Sequence, residues 1–177
     1  AVSCSQGDDY STRALSADSD SDNWLLHGRT YDESRFSPLQ DINDSNVKDL
    51  GLAWSFETGT NRGHEATPIV VDGMMFISAP WSVVFALDPI TGEEIWSFDP
   101  QADKAWARNA CCDVVNRGVA VWGDQVIFAT IDGRLISLNK YSGKVNWDIL
   151  TIDKSKPYTI TGAPRIIDGK IIIGNGG

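Results

Sequence analysis

Three times along the chain, a short apolar run leads into a two-residue turn of Gly and Asp and out into a second apolar run. The copies are residues 67–71, Asp72-Gly73 and 74–78; then 118–122, Gly123-Asp124 and 125–129; then 163–167, Asp168-Gly169 and 170–174. Each is the signature of a tight β-hairpin. The first copy suits a type I′ turn, which requires positive φ at both central positions. The turns return about every 50 residues, a period that marks an internal repeat.

A second element recurs in phase with the hairpins. Residues 84–96 align with residues 135–147, each reading strand, Asp88 or Asn139 at a turn, Thr/Ser-Gly, strand, and a closing Trp96 or Trp147. Leu52-Ala53-Trp54 reads as the last strand of an earlier or closing copy. Four strands and one Trp in about 40–50 residues describe one blade of a β-propeller, so the fold class is all-β. The role predicted for Trp54, Trp96 and Trp147 is to staple one blade onto the next. That role gives a structural use to part of an unusually large set of seven Trp. Three or so blades leave apolar faces and strand edges open, and the sequence stops at Gly177 in mid-repeat. The expectation is an incomplete propeller over residues 23–177, the N-terminal portion of a longer polypeptide whose remainder is its first partner.

Upstream of the repeats, residues 1–22 are rich in Ser and Asp with few apolar positions, and they read as a mobile arm. Residues 41–50 suit a short helix, with Asp44 or Ser45 as its N-cap and Gly51 just past its end. The formal charge of −9, from 24 acidic and 15 basic residues, is a poor match to nucleic acid. There is no apolar run of about 18 residues, so no segment is expected to span a membrane.

The three cysteines are Cys4, Cys111 and Cys112. Adjacent Cα atoms lie about 3.8 Å apart, below the usual disulfide span of about 4.4–6.8 Å, so a bonded pair would form a constrained ring. Constraint of that kind persists where the surroundings impose it, often at a ligand site, and the ring would offer a flat, uncharged, polarizable face. Two reduced thiols used as small apolar residues are the alternative. A metal site is disfavoured because no further Cys or spaced His is at hand. Cys4 would then be left over. Val2-Ser3-Cys4 is lipoprotein-like, but Ala1 does not suit that motif, and Cys4 reads as an incidental thiol.

Three runs carry a more specific likeness: Arg62 to Pro68 (Arg-Gly-His-Glu-Ala-Thr-Pro), Trp106 to Gly118 (Trp-Ala-Arg-Asn-Ala-Cys-Cys-Asp-Val-Val-Asn-Arg-Gly), and Thr161 to Arg165 (Thr-Gly-Ala-Pro-Arg) followed by Gly-Asn-Gly-Gly. Together they resemble the pyrroloquinoline quinone (PQQ) alcohol dehydrogenases, periplasmic enzymes with an eight-bladed propeller. The opening Asn-Trp-Leu-Leu-His-Gly-Arg-Thr-Tyr resembles the quinohaemoprotein members more than methanol dehydrogenase.

That resemblance implies that Cys111 and Cys112 form a vicinal disulfide under one face of the quinone. It places Arg117 on a PQQ carboxylate, which a guanidinium fork suits, although a structural ion pair of Arg117 with Asp113 is the competing role. It puts Glu65 against a polar edge of the ring system, Thr161 as a hydroxyl donor, and Gly176 and Gly177 where backbone approaches the cofactor. The implied reaction is oxidation of primary alcohols to aldehydes, with Ca²⁺ at the quinone and electrons passing to haem c on a fused domain or a separate cytochrome. The Ca²⁺ ligands and the catalytic base are expected beyond Gly177. His27 and His64 read as structural, and Asp88, Asp132 and Asp168 as turn residues. A non-catalytic propeller scaffold of the outer-membrane assembly type is the alternative. A glucose-dehydrogenase type is disfavoured because that class lacks the cysteine pair.

Overall fold

The computed structural model describes residues 5–176, placing Cys4 and Gly177 outside the described residues. Helix α1 (Ser5–Leu15) is followed by β1 (Ile69–Val71), β2 (Met74–Ser78), β3 (Val84–Leu87), β4 (Glu94–Phe98), β5 (Ala120–Trp122), β6 (Gln125–Ala129), β7 (Arg134–Asn139), β8 (Val145–Leu150), β9 (Arg165–Ile167) and β10 (Lys170–Ile172). Strands β1 to β4 form one antiparallel meander, β5 to β8 a second, and β9 and β10 the start of a third. The blades read from the repeats are therefore real sheets. The middle strands β3 and β7 are buried on both faces, because each sheet packs face to face with a neighbour.

The hairpin turns follow the turn residues. Asp72 and Gly73 both have positive φ, as do Asp168 and Gly169. In the middle copy only Gly123 does, the sign pattern of a type II′ turn, because there glycine comes first.

The Trp repeat has a physical mechanism. Asp88 Oδ1 accepts from the N–H groups of Ile90 (2.7 Å) and Thr91 (2.9 Å), and Asn139 Oδ1 does the same for Tyr141 (3.1 Å) and Ser142 (3.0 Å). Each turn ends in a glycine of positive φ, Gly92 or Gly143. A Cβ on Gly92 would lie 2.5 Å from the Trp54 ring, and one on Gly143 would lie 2.8 Å from the Trp96 ring. The indole Nε1 of Trp54 donates to the Pro89 carbonyl (3.2 Å) and that of Trp96 to the Lys140 carbonyl (2.9 Å). The tryptophan of one repeat thus lies flat on the glycine turn of the next. A register shift falls just before Trp96 and again just before Trp147, and this bulge re-aims the ring out of its own sheet.

Two upstream segments differ from their predicted states. The mobile arm suggested by composition contains α1, and Tyr10, Ala14 and Ala17 are buried against the sheets. Tyr10 packs on Trp122 with ring centroids 5.1 Å apart. Arg13 pairs with Asp72 of the first hairpin turn at 2.8 Å, and buried Lys140 of the second sheet reaches the same carboxylate at 2.8 Å. Tyr10 and Ala14, four apart, share one face of α1, and Ala17 in the following 3₁₀ turn extends the contact. Residues 41–50 form no α-helix; a single 3₁₀ turn covers Val47–Asp49. Here Asn43 Oδ1 accepts from Ser45 N and Asn46 Oδ1 from Asn43 N, so side chains compete with the backbone ladder.

Candidate cofactor site

Glu65, Arg117 and Thr161 lie just upstream of the first strand in three successive repeats, and stacking of the repeats brings them together. Thr67 N donates to the Arg117 carbonyl (3.3 Å), and Arg117 N donates to the Thr161 carbonyl (2.9 Å). Gly118 makes this approach feasible. At φ 130, a Cβ there would lie 3.2 Å from the Thr67 carbonyl oxygen and 3.7 Å from Ala163 Cβ. The Arg117 guanidinium then spans its neighbours, with Nη2 on Glu65 Oε2 (2.8 Å) and Nη1 on Thr161 Oγ1 (2.6 Å). Asp113 does not take Arg117; it pairs with Arg62 instead.

Cys111 and Cys112 are joined as a disulfide with Cα atoms 3.8 Å apart, so the reduced-thiol alternative does not hold. The pair lines a cleft of about 200 Å³ together with Asn109, Ala110, Thr159, Thr161 and Gly176. Gly176 is tied to Thr159 by reciprocal backbone hydrogen bonds of 2.8 and 2.9 Å. A larger cavity of about 670 Å³ lies against Trp54, Phe56, His64 and Leu87, on the open flank of the first sheet. It holds none of the predicted cofactor residues, and its lining is that of an uncovered sheet face. Chemistry, not size, makes the smaller cleft the candidate site.

The donor set suits a flat, carboxylate-bearing quinone. The disulfide supplies an uncharged face, and Thr161 supplies a hydroxyl. The guanidinium has five N–H donors in a fork and keeps some to offer a carboxylate beyond Glu65 and Thr161. At Gly176 a Cβ would meet only Thr159 Oγ1, at 3.8 Å, so no protein contact crowds that part of the cleft.

The cysteine loop is held from both ends. On its N-terminal side, Asp103 Oδ1 caps the 3₁₀ segment Lys104–Asn109 by accepting from Ala105 N (2.9 Å). Trp106 Nε1 donates to the Tyr158 carbonyl (2.7 Å), which ties that segment to the loop that carries Thr159 and Thr161. On the other side, Trp81 N donates to the Val114 carbonyl (2.9 Å). Trp81 and Ser82 both sit at positive φ, 65° and 61°, a conformation that costs non-glycine residues about 1–3 kcal/mol each and so needs support.

Asp132 does more than close a turn. It is buried, accepts from Thr130 Oγ1, and takes the backbone N–H of Asp103 at 3.2 Å. Burial works against its charge, but the Thr130 and Asp103 hydrogen bonds, with Arg134 and Lys154 nearby, hold its carboxyl below the usual carboxylate range. A depressed folded value means that its stabilisation is present above about pH 4 and is lost as the pH falls through that lower value. Asp132→Asn is therefore expected to lower Tm at pH 7 and to narrow its gap from wild type as the pH approaches 3. Thermal melts across that range test it, and a constant gap would refute the assignment.

Asn116, Thr159 and Asn109 were not singled out from the sequence. Asn116 carried the one available signal, a polar side chain between Val114-Val115 and Gly118, since a buried polar group is the informative exception. Asp88 and Asp168 are turn residues as expected, and His64 Nε2 pairs with Thr58 Oγ1 at 2.7 Å. Among the described residues, no group of three His, Cys, Asp or Glu could hold a metal, and no helix is long and apolar enough to cross a membrane.

Comparison with known proteins agrees with this fold. The PQQ family profile described as glucose/ethanol/alcohol dehydrogenase, beta-propeller domain, matches residues 24–176. Quinohemoprotein alcohol dehydrogenase ADH IIB of Pseudomonas putida is 56% identical over 154 residues, which are 87% of this chain and 22% of that protein. The 1-butanol dehydrogenase (cytochrome c) of Thauera butanivorans is 53% identical over 155 residues, again 87% of this chain and 22% of that protein. The solved structure of quinohemoprotein alcohol dehydrogenase ADH-IIG from Pseudomonas putida superposes with a TM-score of 0.91 at 52% identity, covering 94% of this chain and 24% of that one. The chain spans under a quarter of the length of these relatives. Because the matched stretch contains the whole repeat array together with the cysteine pair and its neighbours, the chain belongs to the PQQ-dependent glucose/ethanol/alcohol dehydrogenase β-propeller family.

Proposed function

We propose that this chain forms the quinone-binding wall of a periplasmic PQQ-dependent alcohol dehydrogenase, one that oxidises primary alcohols to aldehydes and delivers electrons to a haem c. The observation that carries the reading is the convergence of the bonded Cys111–Cys112 pair, Thr161 and Gly176 on one cleft, with Arg117 bonded to Thr161 and Glu65 to Arg117. The similarity to proteins named quinohemoprotein alcohol dehydrogenase and 1-butanol dehydrogenase (cytochrome c) supports the haem acceptor and the alcohol substrate. A disulfide between neighbouring residues supports an oxidising compartment.

When bound, PQQ supplies a two-electron acceptor for the alcohol's hydride. The residues of this chain bind and orient. The disulfide would offer its uncharged face to the quinone ring and exclude water from it. Arg117 would hold a carboxylate, and Thr161 would offer its hydroxyl. Glu65 keeps the guanidinium aimed, leaving one compensated charge rather than a bare cation in the cleft. The calcium ion that the reading includes draws on carboxylates outside the described residues, which assemble no metal site of their own. A propeller scaffold without catalysis has no use for a disulfide face beside an arginine fork.

Reconstitution of the complete protein with PQQ and Ca²⁺, assayed on a primary alcohol with a dye acceptor, tests the proposal. Dye reduction is expected. Its absence, with PQQ demonstrably bound, would overturn it.

A further inference from the structure

We infer that Asn116 is the positioning residue for Arg117, and that it sets cofactor affinity without touching the cofactor. The inference rests on Arg117 being a cofactor ligand. Asn116 is only 2% exposed, and both ends of its amide are fully used. Its Oδ1 accepts from Ser78 Oγ (2.7 Å), at the end of β2, and from Gly118 N (3.1 Å) in its own loop. Its Nδ2 donates to Ser82 Oγ (3.1 Å) and to the Ala129 carbonyl (2.8 Å), at the end of β6.

Three of these four bonds land on two sheets and on the turn that holds Trp81 and Ser82 at positive φ. The loop between the disulfide and Arg117 is thereby pinned to the rigid ends of both blades. The bond that bears on Arg117 is the one to Gly118 N, which, together with the Thr67 N–H on the Arg117 carbonyl, fixes the peptide on the C-terminal side of Arg117. The peptide on the other side is fixed by Arg117 N on the Thr161 carbonyl. With both flanking peptides held, the guanidinium leaves the backbone from one place and reaches Glu65 and Thr161 together. A supporting hydrogen bond of this type converts a long flexible side chain into a preorganised ligand group.

The chemistry of the amide separates positioning from mere stability. Asn116→Asp keeps the oxygen that accepts from Gly118 N but loses the donation to the Ala129 carbonyl. Asn116→Ala loses both. In the complete protein, Asn116→Asp is expected to lower Tm while leaving the PQQ dissociation constant within about threefold of wild type. Asn116→Ala is expected to raise that constant about tenfold or more, the scale seen when groups behind metal ligands are removed.

The dissociation constants come from equilibrium titration of the apoprotein with PQQ, followed by absorbance, beside melts of the same samples. If Asn116 acts through Arg117, adding Asn116→Ala to Arg117→Ala raises the constant no further, because the two share one path. A dissociation constant that tracks Tm through both Asn116 variants would overturn the inference, as would full additivity with Arg117→Ala. Should Asn116→Ala fail to fold, the Asn116→Asp result alone decides: a tenfold loss of affinity there refutes it. An unchanged dissociation constant for Arg117→Ala by itself would instead refute Arg117 as a ligand.

Discussion

Replacement of Trp96 by alanine is expected to destabilise the protein by about 3–5 kcal/mol, the range for a large aromatic removed from a core. The ring is 9% exposed and lies 5.9 Å from the Phe76 centroid. Its loss opens a gap between the first two sheets and leaves the buried Lys140 carbonyl without its indole donor. The reciprocal change, Gly143→Ala, is expected to destabilise as well. It drives a methyl to 2.8 Å from the ring at a φ of 67°, which side chains other than glycine resist. Trp54 makes the same contact with Gly92, but it is half-buried on the open flank, so Trp54→Ala is expected to cost less. Chemical denaturation of the three variants measures the series. A loss below about 1 kcal/mol for Trp96→Ala would show that the ring is not the staple between sheets.

The second large effect is on affinity. Arg117→Ala is expected to raise the PQQ dissociation constant by about 10- to 100-fold, since a hydrogen bond to a charged group contributes about 1.5–3 kcal/mol and about 1.4 kcal/mol is a factor of ten. The change also strands Glu65, whose carboxylate would then face the cofactor's own carboxylates without a cation between them. Arg117→Lys is expected to recover only part of the loss. An ammonium is a point charge, and it cannot span Glu65 and Thr161 while it also grips a ligand. Titration of the apoproteins with PQQ provides the check, and a wild-type dissociation constant for Arg117→Ala would remove Arg117 from the site.

Stability and affinity draw on different parts of the same repeat. The Trp–Gly contact lies where the turn between β3 and β4, or between β7 and β8, meets its neighbour's ring. The candidate cofactor residues Glu65, Arg117 and Thr161 lie at the opposite end of the repeat, upstream of its first strand. The acid sensitivity expected of Asp132 belongs to a third place, the link between the second sheet and the capped segment leading to Cys111.

Much of this was legible in the residues alone. The hairpin turns, the Asp88 and Asn139 turns and the tryptophan spacing are short-range signals. Each depends on φ preferences or on side chain to backbone bonds within a few residues. The family likeness likewise named Glu65, Arg117, Thr161 and the cysteine pair. Local reading failed where sparse signals acted together: Tyr10 and Ala14 sufficed to dock α1 (Ser5–Leu15) on the sheets, with Ala17 just past its end, while asparagines broke the expected helix at 41–50.

The amino-acid sequence by itself determined the repeat and the staple, because those depend on residue type and nearby neighbours, and its likeness to a family nominated the groups of the candidate site. Only the tertiary structure decided which partner Arg117 takes, and that Asn116 holds the loop beneath it. The contacts to Ser78, Ser82, Glu65 and Thr161 join residues 34 to 52 positions apart, and nothing local sets such distances; they are set by the register of the strands and the stacking of one sheet on the next.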